Sequence, residues 1–109
     1  MRYCLALDLK NDPQLIKEYE EYHKKIWPEI ALSIKQSGIT AMEIYRFQNR
    51  LFMIMETSES FSFEKKQIMD AQNPTVQKWE QMLWNYQQAL PGSKEGEKWQ
   101  VMNKIFQME

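Results

Sequence analysis

One histidine occurs in the 109 residues, so imidazole chemistry has a single address, His23. Tyr19 lies four residues earlier. On a helix that spacing stacks the two side chains on one face. An imidazole with an unperturbed pKa near ~6.5 gives or takes a proton at neutral pH, and a neighbouring phenol makes the two a proton-handling pair. On spacing alone, a lone histidine beside aromatics is more often a hydrogen-bonded core or interface residue. Glu43 and Glu56 could serve acid–base chemistry or simply form solvent-facing ion pairs. Trp79, Trp84 and Trp99 offer flat apolar faces to a ligand or to a core. Cys4 is the one cysteine, so there is no intramolecular disulfide and no material for a Cys/His zinc cluster. Gly-rich phosphate loops, a Walker lysine and a serine nucleophile elbow are all missing. The expected chemistry therefore uses no nucleotide, flavin or metal cofactor.

The elements that must position these residues follow from periodicity. Tyr3 to Leu9 alternates large and small side chains, which predicts a strand. Asp12-Pro13 is an N-cap followed by the first helical position. The helix it starts is expected to reach Gln36, with Gly38 ending it. Its inward stripe is Ile16, Tyr19, His23, Ile26, Ile30 and Ile34. Pro28 should kink or restart it near Trp27. Thr40–Phe47 and Leu51–Thr57 read as strands joined by a hairpin at Gln48-Asn49-Arg50. Phe63 to Leu90 reads as helix in two pieces, the second capped by Asn73-Pro74 and carrying Val76, Trp79, Met82, Leu83, Tyr86 and Leu90 on one face. A last strand is expected over Lys98 to Gln107.

The order β-α-β-β-α-β predicts an α+β domain spanning residues 1–109: a ferredoxin-like four-stranded antiparallel sheet with helices on one face. Several strands carry apolar side chains on both faces. The uncovered sheet face then implies a partner surface, and a homodimer formed sheet to sheet. Fourteen basic and fifteen acidic residues leave a net charge of −1, without the footprint of a nucleic-acid binder. The N-terminal apolar run breaks at Asp8, too short for a signal core or a membrane span. Cytoplasm is the expected location.

The segment Tyr19-x-x-x-His23-x-x-Ile26-Trp27-Pro28-Glu29 resembles the signature of the L-rhamnose mutarotase family. The likeness continues through Ile44-Tyr45, Leu51-Phe52, Glu56 and Gln77-Lys78-Trp79, and covers nearly the whole chain. The resemblance implies a dimeric α+β barrel that interconverts the anomers of a six-carbon deoxysugar without cofactor. It makes His23 the catalytic proton donor and Tyr19 and Trp79 sugar contacts, with Tyr45 a further contact. Two positions depart from the rhamnose-acting pattern: Glu80 replaces a second Trp, and Met42 replaces a sugar-contacting Tyr. The longer stretch from Trp79 to Pro91, followed by Gly96-Glu97-Lys98-Trp99, looks like a sub-branch associated with L-fucose.

Mutarotation opens a pyranose ring and recloses it on the other face of C1. One group protonates the ring oxygen while another takes the proton of the anomeric hydroxyl. The resemblance gives one proton to His23 and leaves Glu80 for the other or for a hydroxyl contact. A neutral sugar also needs no charged funnel, which accords with the near-zero net charge. Two other readings stay open on residues alone. One is a small oxygenase or dehydratase of the same fold acting on hydrophobic aromatics. The other is a non-catalytic dimerisation or binding module.

Overall fold

The computed structural model describes all 109 residues. The elements run β1 (Arg2–Leu9), α1 (Pro13–Lys24), α2 (Pro28–Gln36), β2 (Ile39–Phe47), β3 (Arg50–Thr57), α3 (Phe63–Ala71), α4 (Pro74–Trp84), β4 (Gln87–Gln88) and β5 (Gln100–Val101). Local chemistry sets the helix starts. Asp12 accepts from the backbone N–H groups of Gln14 and Leu15 at 2.9 and 3.2 Å. Asn73 accepts from those of Thr75 and Val76 at 3.0 and 3.2 Å. In both places the next residue is proline, which surrenders an N–H that has no helical partner anyway. Pro28 divides the first helix in two, as its missing N–H requires. Gly38 follows α2 at φ 101°, and a Cβ there would meet Ser58 Oγ at 2.9 Å, so only glycine fits this exit.

The sheet is antiparallel, in the order β2-β3-β1-β4, with β5 also paired to β1. This is the ferredoxin-like α+β arrangement, with one modification. The fourth strand position is shared by two fragments. β4 pairs with Asp8 and Leu9, and β5 pairs with Leu5 and Ala6. Residues 89–99 leave the sheet edge opposite Leu7.

Two expectations are corrected here. The second helix piece ends at Trp84 rather than Leu90. Tyr86 is instead held by its carbonyl, which accepts from Lys10 N–H at 2.8 Å, and Gln87–Gln88 join the edge of β1. The open edge of β1 offers unpaired backbone groups, and pairing them outcompetes one more helical turn. The last strand is Gln100–Val101 rather than Lys98–Gln107. Its register sets Val101 against Leu5, so the chain runs past the start of β1 within a few residues. The last strand-like bond is Met102 N–H to the Cys4 carbonyl at 2.7 Å. Beyond it Ile105, Phe106 and Met108 are all exposed, Ile105 at 96%.

Alternation divides the sheet into two faces. Leu5, Leu7 and Leu9 of β1 and Leu51, Met53 and Met55 of β3 face the helices and are buried. Tyr19, Ile30, Val76, Trp79 and Leu83 close over them. The opposite face carries Cys4, Ala6, Tyr45, Phe47, Phe52 and Ile54 from the intervening positions. On it, Arg50 donates to both carboxylate oxygens of Asp8, at 2.8 and 3.2 Å.

Candidate active site

A cavity of about 200 Å³ lies between the helices and the covered sheet face. Sites for drug-sized ligands run ~300–1,000 Å³, so this one suits a single small molecule. Much of its wall is apolar, including Leu5, Ile26, Ile30 and Met53. The polar members are few and come from separate elements: Tyr19 and His23 from α1, Ser33 from α2, Lys66 and Asp70 from α3, Glu80 from α4 and Gln87 from β4.

Tyr19 and His23 meet as their spacing requires, with ring centroids 4.3 Å apart. The His23 Nδ1 sits 2.9 Å from the Tyr19 backbone carbonyl. A carbonyl only accepts, so Nδ1 carries a hydrogen and donates. In the neutral ring Nε2 is then a free lone pair. Burial lowers the His23 pKa below its ordinary 6.5, partly offset by that carbonyl bond. The imidazole is thus neutral at pH 7, and Nε2 can accept a proton.

Tyr19 is almost fully buried. Burial pushes its phenol up to about 12, against a smaller downward pull from its hydrogen bond with Gln87. The phenol stays protonated at neutral pH. The Gln87 side chain thus lies beside the phenol on the cavity wall.

Trp79 is buried and forms one wall. Its ring centroid is 5.8 Å from that of His23 and 4.9 Å from that of Trp27, which meets it edge-on. Three neighbouring rings, with Tyr22 the third, therefore fix the indole plane. The Trp27-Pro28 pair does two jobs at once. Pro28 ends the α1 ladder just beyond His23, and Trp27 braces Trp79.

Glu80 lines the cavity and forms an ion pair with Lys98 at 2.5 Å. Lys98 also donates to the Glu80 backbone carbonyl at 3.0 Å and lies over the Trp84 ring, 4.7 Å from its centroid. The excursion over residues 89–99 delivers both Lys98 and Trp99 to this side of the molecule, and Trp99 joins the cavity wall. Met42, at the position where the resemblance expects a tyrosine, also lines the cavity.

Tyr45 is not brought to the cavity. It lies on the open sheet face, 55% exposed, and donates to Glu43 Oε2 at 2.5 Å. Ile44 and Met53 face the cavity, and a strand sends neighbouring side chains to opposite faces. Glu56 is also on the open face, paired with Arg2 at 2.7 Å. Lys66, Asp70, Gln87 and Ser33 are cavity residues that sequence reasoning passed over. The i,i+4 spacing of Lys66 and Asp70 was a visible signal, but it reads as an ordinary helix ion pair. Gln87 had no signal, because its place depends on β4 joining β1.

No cluster of three His, Cys, Asp or Glu side chains gathers that could hold a metal ion. No helix is long and apolar enough to cross a membrane.

Comparison with known proteins bears on this geometry. The family model for L-rhamnose mutarotase matches residues 2–108. An L-fucose mutarotase of Xanthomonas campestris is 43% identical over 107 residues, covering 96% of this chain and 86% of that protein. An L-rhamnose mutarotase of Phocaeicola vulgatus is 38% identical over 76 residues, covering 68% of this chain and 65% of that protein. The crystal structure of an L-rhamnose mutarotase from Formosa agariphila superposes with a TM-score of 0.73 at 22% identity, covering 100% of this chain and 99% of that one. A dimeric ferredoxin-like protein from an uncultured marine organism gives 0.59 at 13% identity, over 99% and 97% of the two chains, which bears on fold alone. A family match across nearly the whole length, over a cavity built around a tyrosine–histidine pair, has one reading: this chain belongs to the L-rhamnose mutarotase family, enzymes that interconvert sugar anomers.

Proposed function

We propose that this protein is a mutarotase of L-fucose in preference to L-rhamnose, with His23 as proton acceptor and Tyr19 as proton donor. The observation that carries the reading is the His23 hydrogen bond. With Nδ1 donating to the Tyr19 carbonyl, Nε2 is the lone pair available to a bound sugar. His23 Nε2 takes the proton of the anomeric hydroxyl. The C1–O5 bond breaks, and the ring oxygen receives a proton from the Tyr19 hydroxyl. Gln87, beside the phenol and lowering its pKa, steadies the charge left there. The open-chain aldehyde turns about C1–C2, and the steps reverse on the other face. Trp79 holds the apolar face of the sugar. Glu80, engaged by the Lys98 ammonium, is an acceptor for hydroxyls rather than an acid. No step calls for a cofactor.

The preference for L-fucose rests on the similarity to the Xanthomonas protein and on the two altered wall positions, Met42 and Glu80. Replacing an aromatic by Glu80 removes a stacking plane and adds an acceptor. The oxygenase-like and non-catalytic readings have no observation in their favour beyond the shared fold.

The working unit is a homodimer in the cytoplasm. Chains of this mass expose about 6,400 Å² when folded, whereas this one exposes 8,074 Å². The surplus of about 1,700 Å² per protomer matches the area that an obligate interface removes. Exposed apolar side chains lie where a partner would: Tyr45 and Phe47 on the open sheet face and Ile105, Phe106 and Met108 beyond β5. Tyr45 belongs to that face. The unpaired thiol of Cys4 accords with a reducing compartment.

Saturation-transfer NMR on L-fucose and L-rhamnose, with and without protein, tests the activity directly. Accelerated exchange, faster for L-fucose, is the expected result. No acceleration with either sugar overturns the reading, and faster exchange of L-rhamnose overturns the substrate order.

A further inference from the structure

Two buried side-chain atoms in the molecule lack a hydrogen-bond partner: Asp70 Oδ1 and Gln87 Oε1. Both belong to residues of the one cavity wall. Both are acceptors, and native proteins leave few buried acceptors unpaired, because stripping them of water costs free energy that nothing returns. Asp70 is held in place from two sides. Lys66 donates to its other oxygen at 2.5 Å, and its backbone carbonyl accepts from the Gln77 side chain at 2.8 Å. Gln87 lies beside the Tyr19 phenol, and its carbonyl oxygen is the atom left without a partner. A carboxylate oxygen and an amide oxygen together suit a ligand that brings hydroxyl donors.

We propose that Asp70 and Gln87 are specificity-determining residues of this site, accepting hydrogen bonds from ring hydroxyls beyond C1. The inference rests on the mutarotase reading. Bond breaking at C1 and O5 occupies His23 and Tyr19, both on α1. The remaining hydroxyls are left to other walls, and Asp70 on α3 and Gln87 on β4 supply acceptors from two of them. L-fucose and L-rhamnose differ in configuration at C2 and C4, so acceptors fixed on separate elements meet different hydroxyl patterns in the two sugars. A site built to pair with a hydroxyl discriminates against a sugar that leaves its acceptor unpaired far more strongly than an apolar wall can.

The test measures kcat and KM for anomer exchange of both sugars, by saturation-transfer NMR over a range of sugar concentrations, on the full chain and on Asp70→Ala, Asp70→Asn and Gln87→Leu. Asp70→Ala should raise KM for the preferred sugar about 10- to 100-fold, the range for losing a hydrogen bond to a charged group. The ratio of kcat/KM between the sugars should change by about tenfold or more, while the acid limb set by His23 stays in place. Asp70→Asn keeps the shape and one acceptor, so it should fall between. It also serves if Asp70→Ala fails to fold. Gln87→Leu should lower kcat as well, because Gln87 also contacts Tyr19. Folded Asp70 variants with the parental KM and the parental sugar ratio overturn the proposal. Parent protein that accelerates neither sugar overturns the mutarotase reading itself, an outcome visible before any variant is made.

Discussion

The two faces of the sheet use similar residues for opposite ends. On the helix side, Leu5, Leu7 and Leu9 are buried and leave one small cavity with a handful of polar groups. On the other side, Phe47 is 77% exposed and Tyr45 55%, with Phe52 opposite Tyr45 and Ile54 beyond it on the neighbouring strand. The covered face has Trp79 braced by three neighbouring rings. The open face is ordered by the Arg50–Asp8 and Arg2–Glu56 ion pairs and the Tyr45–Glu43 hydrogen bond. A covered face can lower the pKa of a histidine and raise that of a tyrosine, because burial removes water. On the open face Tyr45 is raised by its hydrogen bond to Glu43 rather than by burial, and the physical use of such an apolar face is association.

The sharpest way to break this contrast is at His23. His23→Gln should cut enzyme-accelerated exchange by about 10²- to 10⁴-fold, the usual worth of a positioned proton carrier. Exchange near the parental rate would remove the cavity's claim to be the site. Next come paired truncations on the two faces. Leu7→Ala, at 0% exposure, should cost about 2–5 kcal/mol in denaturant unfolding. Phe47→Ala should barely alter unfolding of an isolated chain, yet weaken the homodimer proposed above. Equal losses in both would mean the faces are not different in kind. A charge on the open face tests association separately. Phe52→Glu should shift the sedimenting mass from dimer to monomer at micromolar protein, with the helical circular dichroism retained. A monomeric parent protein would contradict the proposal outright.

The pH profile sharpens the comparison further. Because the His23 pKa is lowered, kcat/KM should be flat through neutral pH and fall only on the acid side, below 6.5. The linkage has the same direction. A histidine with a depressed folded pKa adds no penalty above its unfolded value, and stability is lost as pH falls from 6.5 through the folded pKa. Unfolding midpoints rising between acid and neutral pH, by less in His23→Gln, would agree; a profile with its midpoint above 6.5 would not. The smallest effect is expected at a cap. Asn73→Ala should cost about 0.5–2 kcal/mol of stability and leave the sugar preference alone.

Much of this was legible in the residues. Asp12-Pro13 and Asn73-Pro74 announced their helices, and Pro28 announced a break, because caps and prolines act within a few residues of themselves. The Tyr19–His23 pairing was legible for the same reason. What could not be read were the features settled by pairing at a distance. The end of α4 at Trp84 and the brief β5 follow from which backbone groups of β1 are free to pair. Tyr45 was placed among the sugar contacts, yet one residue of strand phase puts it on the far face from Ile44.

The sequence by itself determined the helix starts, the α+β order, the family and the pair at Tyr19 and His23. These are set by local stereochemistry and by a motif confined to eleven residues. Only the tertiary structure decided which nitrogen of His23 is free, that Lys98 crosses to Glu80, and that Asp70 and Gln87 share a wall with Trp79. Each depends on groups far apart in the chain or on the water that packing excludes. The single histidine marked where chemistry could occur; burial and one backbone carbonyl left its imidazole neutral with Nε2 free.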